Sequence, residues 1–157
     1  MKLLQRIDVD KLTVYKGKME EDIEYITSDI FEKEERFPLK CNLKPFSQRE
    51  IPVLWNYKKS HKTVLLCLHG LGEDKNSSVF SALMKRLDAE GCGVVCFDWP
   101  AHGDSKAKDA DLTVENCLND LDQVVRFLKQ LKNDYICCFA TGYGGYISTL
   151  YRNTHDY

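Results

Sequence analysis

Three short apolar runs constrain this chain more than anything else in it. Thr63–Leu68 (TVLLCL), Gly93–Phe97 (GVVCF) and Tyr135–Ala140 (YICCFA) are hydrophobic without alternation. A strand with one face in water alternates with period two, and a strand covered on both faces does not. Each run leads through a loop into a helical pattern. Val79, Phe80, Leu83, Met84 and Leu87 mark the first helix, with Asn76 and Ser77 as capping candidates and Gly91 as its stop. The second runs from about Val114 to Leu131, with Thr113 as N-cap and Leu118, Leu121, Val125, Leu128 and Leu131 as its apolar stripe. A third starts near Gly144, with Ile147, Leu150 and Tyr151 on one face. Alternating strands and helices predict an α/β fold built on a parallel sheet, with right-handed crossovers and helices on both faces.

Two further apolar segments, Phe37–Leu43 and Ile51–Tyr57, are separated by polar residues and Pro, which predicts a leading antiparallel pair. The stretch before them is charge-rich. Ile23, Ile26, Ile30 and Phe31 recur at helical spacing there, as in a packing arm or a partner-binding helix. The expected organisation is an N-terminal helical arm over residues 1–36 and one α/β domain over 37–157. No repeat and no interdomain linker interrupts it.

A net charge of -2 gives no basis for binding nucleic acid or an anionic membrane. No apolar run approaches the roughly 20 residues of a membrane span. The opening MKLLQRIDVDKL has no apolar core of a signal peptide. The seven cysteines (Cys41, Cys67, Cys92, Cys96, Cys117, Cys137 and Cys138) are odd in number and lie mostly in apolar runs. They are expected to be reduced, buried thiols of a cytoplasmic protein. No CxxC pair is present, so no metal site is expected, and nothing in the sequence suggests an organic cofactor.

In such sheets, chemistry collects in the loops at the carboxyl ends of the strands. The first of these is His69-Gly70-Leu71-Gly72-Glu73-Asp74, a Gly-rich turn whose backbone N–H groups can point over the sheet at an oxyanion. The second is Asp98-Trp99-Pro100-Ala101-His102-Gly103-Asp104-Ser105. Asp98 can accept backbone hydrogen bonds there, and His102 reads as a structural turn residue rather than a general base. The third is Ala140-Thr141-Gly142-Tyr143-Gly144-Gly145, where small residues let a strand turn at once into a closely packed helix.

Together these loops resemble the α/β hydrolases, in particular the lysophospholipase, monoacylglycerol-lipase and serine-aminopeptidase-like group. HGLG is similar to that group's oxyanion loop. DWPAHGDS is similar to its Asp-x-x-Gly-His-Gly-x-Ser turn, with Ala101 in place of the first Gly. ATGYGG is similar to its nucleophile elbow. The resemblance covers Phe37 to the end and implies a three-layer, mostly parallel α/β-hydrolase sheet. It also implies an oxyanion hole formed by the N–H groups of Leu71 and Tyr143, supported by His69, Gly70, Asp98, His102, Gly144 and Gly145, and a small acyl or ester substrate.

Two features depart from that pattern. The nucleophile position, where Ser is expected, is Gly142, and the family's acid and base would fall beyond Tyr157. Loss of the nucleophile alone removes on the order of 10⁶-fold in rate from a triad enzyme. The expectation is an ester or acyl hydrolase lineage, inactive as this chain stands. The alternative is a non-catalytic binding protein, similar at the elbow to the N-myc downstream-regulated family. A nucleotide-binding domain is disfavoured, because no GxGxxG follows the first apolar run. The resemblance also implies a further strand beside Tyr135–Ala140. Without it that edge is expected to dimerise, aggregate or take up a missing C-terminal segment.

Overall fold

The computed structural model describes residues 13–15, 38–44, 49–131 and 133–155. The expected helix around Ile23–Phe31 lies outside them. Among the described residues, six strands form one sheet: β1 (Thr13–Tyr15), β2 (Leu39–Lys44), β3 (Ile51–Asn56), β4 (Thr63–Leu68), β5 (Cys92–Phe97) and β6 (Tyr135–Ala140). Three helices follow β4, β5 and β6 in turn: α1 (Ser78–Asp88), α2 (Val114–Lys129) and α3 (Gly142–Arg152). The spatial order is β1-β2-β3-β5-β4-β6. β2 and β3 form the expected antiparallel pair, Cys41 opposite Val53. β3 runs antiparallel to β5, whereas β5 and β6 both pair parallel to β4. This is the mixed, mostly parallel α/β sheet that the alternation of apolar runs and helical stripes predicts.

β4 shows why its sequence does not alternate. Val64, Leu66 and Leu68 face a core shared with Cys117, Leu121, Val125 and Ile147 of α2 and α3. Leu65 and Cys67 face the other side, where Phe80 and Met84 of α1 pack. Helices therefore cover both faces of the strand.

Within the stretch expected as the N-terminal arm, Thr13–Tyr15 is a strand, parallel to β2, and three other expectations need correction. Its Thr-Val-Tyr sequence favours extended backbone, since β-branched and aromatic residues fit a pleated sheet. The buried face of α2 is rotated from the assigned stripe. Cys117, Asp120, Val124 and Phe127 are buried with Leu121, Val125 and Leu128, while Leu118 and Leu131 lie at its margin. The polar Asp120 hid that face; Arg49 reaches it through two hydrogen bonds of 3.0 Å, and burial still raises its carboxyl to about 6. The third helix starts at Gly142, not Gly144. Finally, YICCFA is not covered like β4. Among the described residues β6 is the last strand of the sheet, Tyr135 is 69% exposed and Cys137 is exposed too. Cys67, Cys96 and Cys117 are the buried thiols expected, Cys92 and Cys138 are half-buried, and none of these forms a disulfide.

A groove of about 400 Å³ runs along the β6 edge, bounded by Ile136, Cys138, Ser148 and Arg152. No helix among the described residues is long and apolar enough to cross a membrane. No group of His, Cys, Asp or Glu among them could hold a metal ion.

Candidate active site

β4, β5 and β6 are parallel, so their carboxyl ends bring the three loops side by side. Thr141 donates its backbone N–H to Leu68 O at the end of β4, which ties the third loop to the first. From there the chain turns within one residue. Thr141 is extended, at φ -120 and ψ 143, and Gly142 is left-handed, at φ +49. A left-handed residue between a strand and a helix is the strained apex of an elbow, and Gly adopts it without penalty. A Cβ built on Gly142 meets only Gly70 Cα, at 3.6 Å, so the apex has room for a side chain.

Thr141 sits at the N-cap of α3 without acting as one. Its hydroxyl, which normally accepts from the first turn of a helix, instead donates to Glu73 Oε2 at 3.0 Å. Tyr143 N–H is therefore left uncapped. Among the described residues, neither Tyr143 N–H nor Leu71 N–H has a hydrogen-bond acceptor. Leu71 itself is 59% exposed. The Tyr143 side chain turns away into the core, its hydroxyl 3.6 Å from Cys117 Sγ, and burial raises that phenol well above its ordinary range.

The first two loops are stapled together from below. Asp98, 1% exposed, accepts from Lys75 N–H at 2.9 Å, Lys75 Nζ at 2.6 Å and Asp104 N–H at 2.9 Å. Lys75 is as buried as Asp98, and its ammonium also reaches Asp104. Burial pulls the Lys75 ammonium down, but hydrogen bonds and charge from Asp104 and Asp98 outweigh it and hold it above its usual value. Lys75 in turn holds the Asp104 carboxyl below its own.

His69 is fully buried. Its Nδ1 lies 2.7 Å from Gly70 O, and its Nε2 accepts from Trp99 N–H at 3.1 Å. That pair of contacts requires the neutral ring protonated on Nδ1, and desolvation lowers its pKa to match. Trp99 Nε1–H returns a bond of 2.8 Å to His69 O. His102 Nε2 accepts from Gly72 N–H at 3.2 Å, and its Nδ1 lies 2.9 Å from Pro100 O. Both rings therefore hold the turns in shape.

Residues 63–156 match the family model described as the alpha/beta hydrolase fold. The chain belongs to the α/β-hydrolase fold family. No curated protein matches the sequence at a significant level. Among solved structures, a mutant epoxide hydrolase from Vigna radiata is similar over 76% of this chain and 36% of its own, at 19% identity and a TM-score of 0.63. Est1E from Butyrivibrio proteoclasticus, solved with ferulic acid bound, is similar over 67% and 44%, at 20% identity and a TM-score of 0.61. The thioesterase domain from the curacin biosynthetic pathway is similar over 71% and 40%, at 22% identity and a TM-score of 0.60. At these identities the likeness is one of fold, and the chain spans less than half of each structure.

Within this α/β-hydrolase domain, sequence reasoning missed three residues. Glu73 was noted only as part of the loop, although its Oε2 also accepts from Gly70 N–H at 2.8 Å. Thr141 was placed in the elbow loop and given no partner. Lys75 was not singled out at all, because nothing local marks a lysine that will be buried. Ala101, in contrast, carried a signal. The resembling turn has Gly there, and Ala101 stands at φ +62. An L-residue pays roughly 1 kcal/mol or more for that conformation. Ala101→Gly should therefore raise stability by up to about 1 kcal/mol, less the extra freedom of Gly in the unfolded chain. A urea midpoint that falls instead would show that Ala101 is not strained.

Proposed function

We propose that the three loops are the acyl-binding half of an ester-hydrolase site, of the lysophospholipase and monoacylglycerol-lipase-like kind, and that Gly142 leaves it without a nucleophile. One observation carries this reading: an empty left-handed apex at Gly142 adjoins two backbone donors, Leu71 N–H and Tyr143 N–H, that have no acceptor among the described residues. Tyr143 N–H lies in the first turn of α3, where no intrahelical acceptor exists, and Leu71 lies in an exposed loop, so both donors are open to a ligand. In the parent reaction a position-142 side chain would attack the acyl carbon. The developing oxyanion would lie against the two donors, each worth on the order of 10²–10³ in rate. The acid and base would come from polypeptide beyond this domain, which would occupy the open edge of β6. Residues 37–157 would form the hydrolase domain and 1–36 an arm.

Gly142→Ser in the longest polypeptide the gene encodes tests this. The 3.6 Å clearance admits a serine Cβ, and the expected result is covalent labelling of Ser at 142 by a fluorophosphonate. A folded variant that stays unlabelled would favour the other reading, a family member that binds acyl compounds without turning them over. Gly142 itself is the observation in favour of that alternative.

A further inference from the structure

We infer that Glu73 makes this site selective for uncharged carbonyl compounds and turns away anionic ones. The inference rests on the oxyanion-hole reading and adds the class of ligand. Glu73 Oε2 is fixed between Gly70 N–H at 2.8 Å and Thr141 Oγ1–H at 3.0 Å. Gly70 precedes Leu71, and Thr141 precedes Gly142. The carboxylate is therefore held at the seam of the two loops, one residue from each part of the site. A Cβ at Gly70 would lie 3.3 Å from Oε2, and a Cβ at Gly142 would lie 3.6 Å from Gly70 Cα, so the carboxylate and the empty apex flank the same residue.

Its charge is not offset. Among the described residues no Lys or Arg bonds Glu73, and its second oxygen has no partner. The nearby Lys75 ammonium is committed to Asp98 and Asp104 beneath the loops. His69 is neutral in its hydrogen-bond pattern. The bonds from Gly70 and Thr141 lower the Glu73 pKa and so favour the charged form at neutral pH. Among the described residues, an opposing field comes from the N-terminus of α3, worth about half a positive charge. A full negative charge held at that end outweighs it. A neutral carbonyl can accept from Leu71 and Tyr143 without penalty, whereas a carboxylate brings a second negative charge to a place already occupied by one. At this exposed position the expected discrimination is about fivefold.

The missing nucleophile makes the test direct, because an ester bound at Gly142 stays intact. The ¹⁵N-labelled chain is titrated at pH 7 with ethyl butyrate and, separately, with sodium butyrate, following the amide signals of Leu71 and Tyr143. In Glu73→Gln, which keeps an acceptor for Gly70 and Thr141, butyrate should bind about fivefold more tightly while the ester is unchanged. Should that variant misfold, the unmodified chain at high salt provides a second measurement. Screening of an exposed charge should tighten butyrate relative to the ester. Equal behaviour of the two ligands in both experiments overturns the inference and leaves the site reading intact. If neither ligand moves the Leu71 and Tyr143 signals in the unmodified chain, the site reading falls and takes the inference with it.

Discussion

Replacing Lys75 by Met should cost the fold about 3–5 kcal/mol, the usual result of removing one partner from a buried ion pair. Met matches the length of the lysine stem, so cavity formation contributes little and the loss reports the charge. What remains is Asp98, 1% exposed, with an ionised carboxylate whose ammonium partner at 2.6 Å is gone. The two backbone donors that stay, Lys75 N–H and Asp104 N–H, satisfy part of it. Asp104 loses less, because its side chain is largely in water. Equilibrium urea unfolding measures the effect. A loss below about 1 kcal/mol would mean that water reaches the pair and that the clasp contributes no more than a surface salt bridge. Adding Asp98→Asn to Lys75→Met should recover part of the loss by removing the stranded charge.

Gly144→Ala should be the other severe change, and its neighbour supplies the control. A Cβ on Gly144 would lie 2.6 Å from Leu68 O and 2.8 Å from His69 O. These are backbone atoms at the carboxyl end of β4, so no side chain can rotate out of the way. α3 would have to move off β4 and take the elbow with it. Overpacking of this kind costs about 1–3 kcal/mol, and the gain in helix propensity from Gly to Ala, about 1 kcal/mol, offsets only part of it. A Cβ on Gly145 meets nothing within 4 Å. Gly145→Ala should therefore stabilise the same helix by up to about 1 kcal/mol. Thermal melts of the two variants ought to move in opposite directions. A shift of the same sign and size in both would rule out close contact at Gly144 as the cause.

The fold was legible because its signals are local and redundant. TVLLCL and YICCFA were bounded to the residue, since a continuous apolar run between polar loops has few alternatives. Thr113 was readable as an N-cap, and its side chain does accept from Asn116 N–H. β6 was harder. Its run of apolar residues matches a strand covered on both faces, and nothing within those six residues says that one side lies open. The buried face of α2 was misplaced because Asp120 is polar by type and buried by virtue of Arg49, which lies 71 positions away in sequence. Lys75 follows the same logic. A lysine is buried only where carboxylates await it, and Asp98 and Asp104 arrive from another loop. The loops themselves were found by their glycines, whose spacing reflects backbone turns. The Glu73 bridge was not, because a side chain that joins two loops leaves no mark in either one.

The clasp beneath the loops also bears on how a ligand would be received. A flexible loop must give up conformational freedom when it closes on a guest, and that ordering cost is deducted from affinity. Here the first two loops are joined by the protein's own groups, Lys75, Asp98, His69 and Trp99. Association would then leave the protein's own entropy almost unchanged, and the arriving molecule would surrender only its own motion. Such a surface would act as a fixed template, holding small and weakly interacting compounds that a mobile site would release.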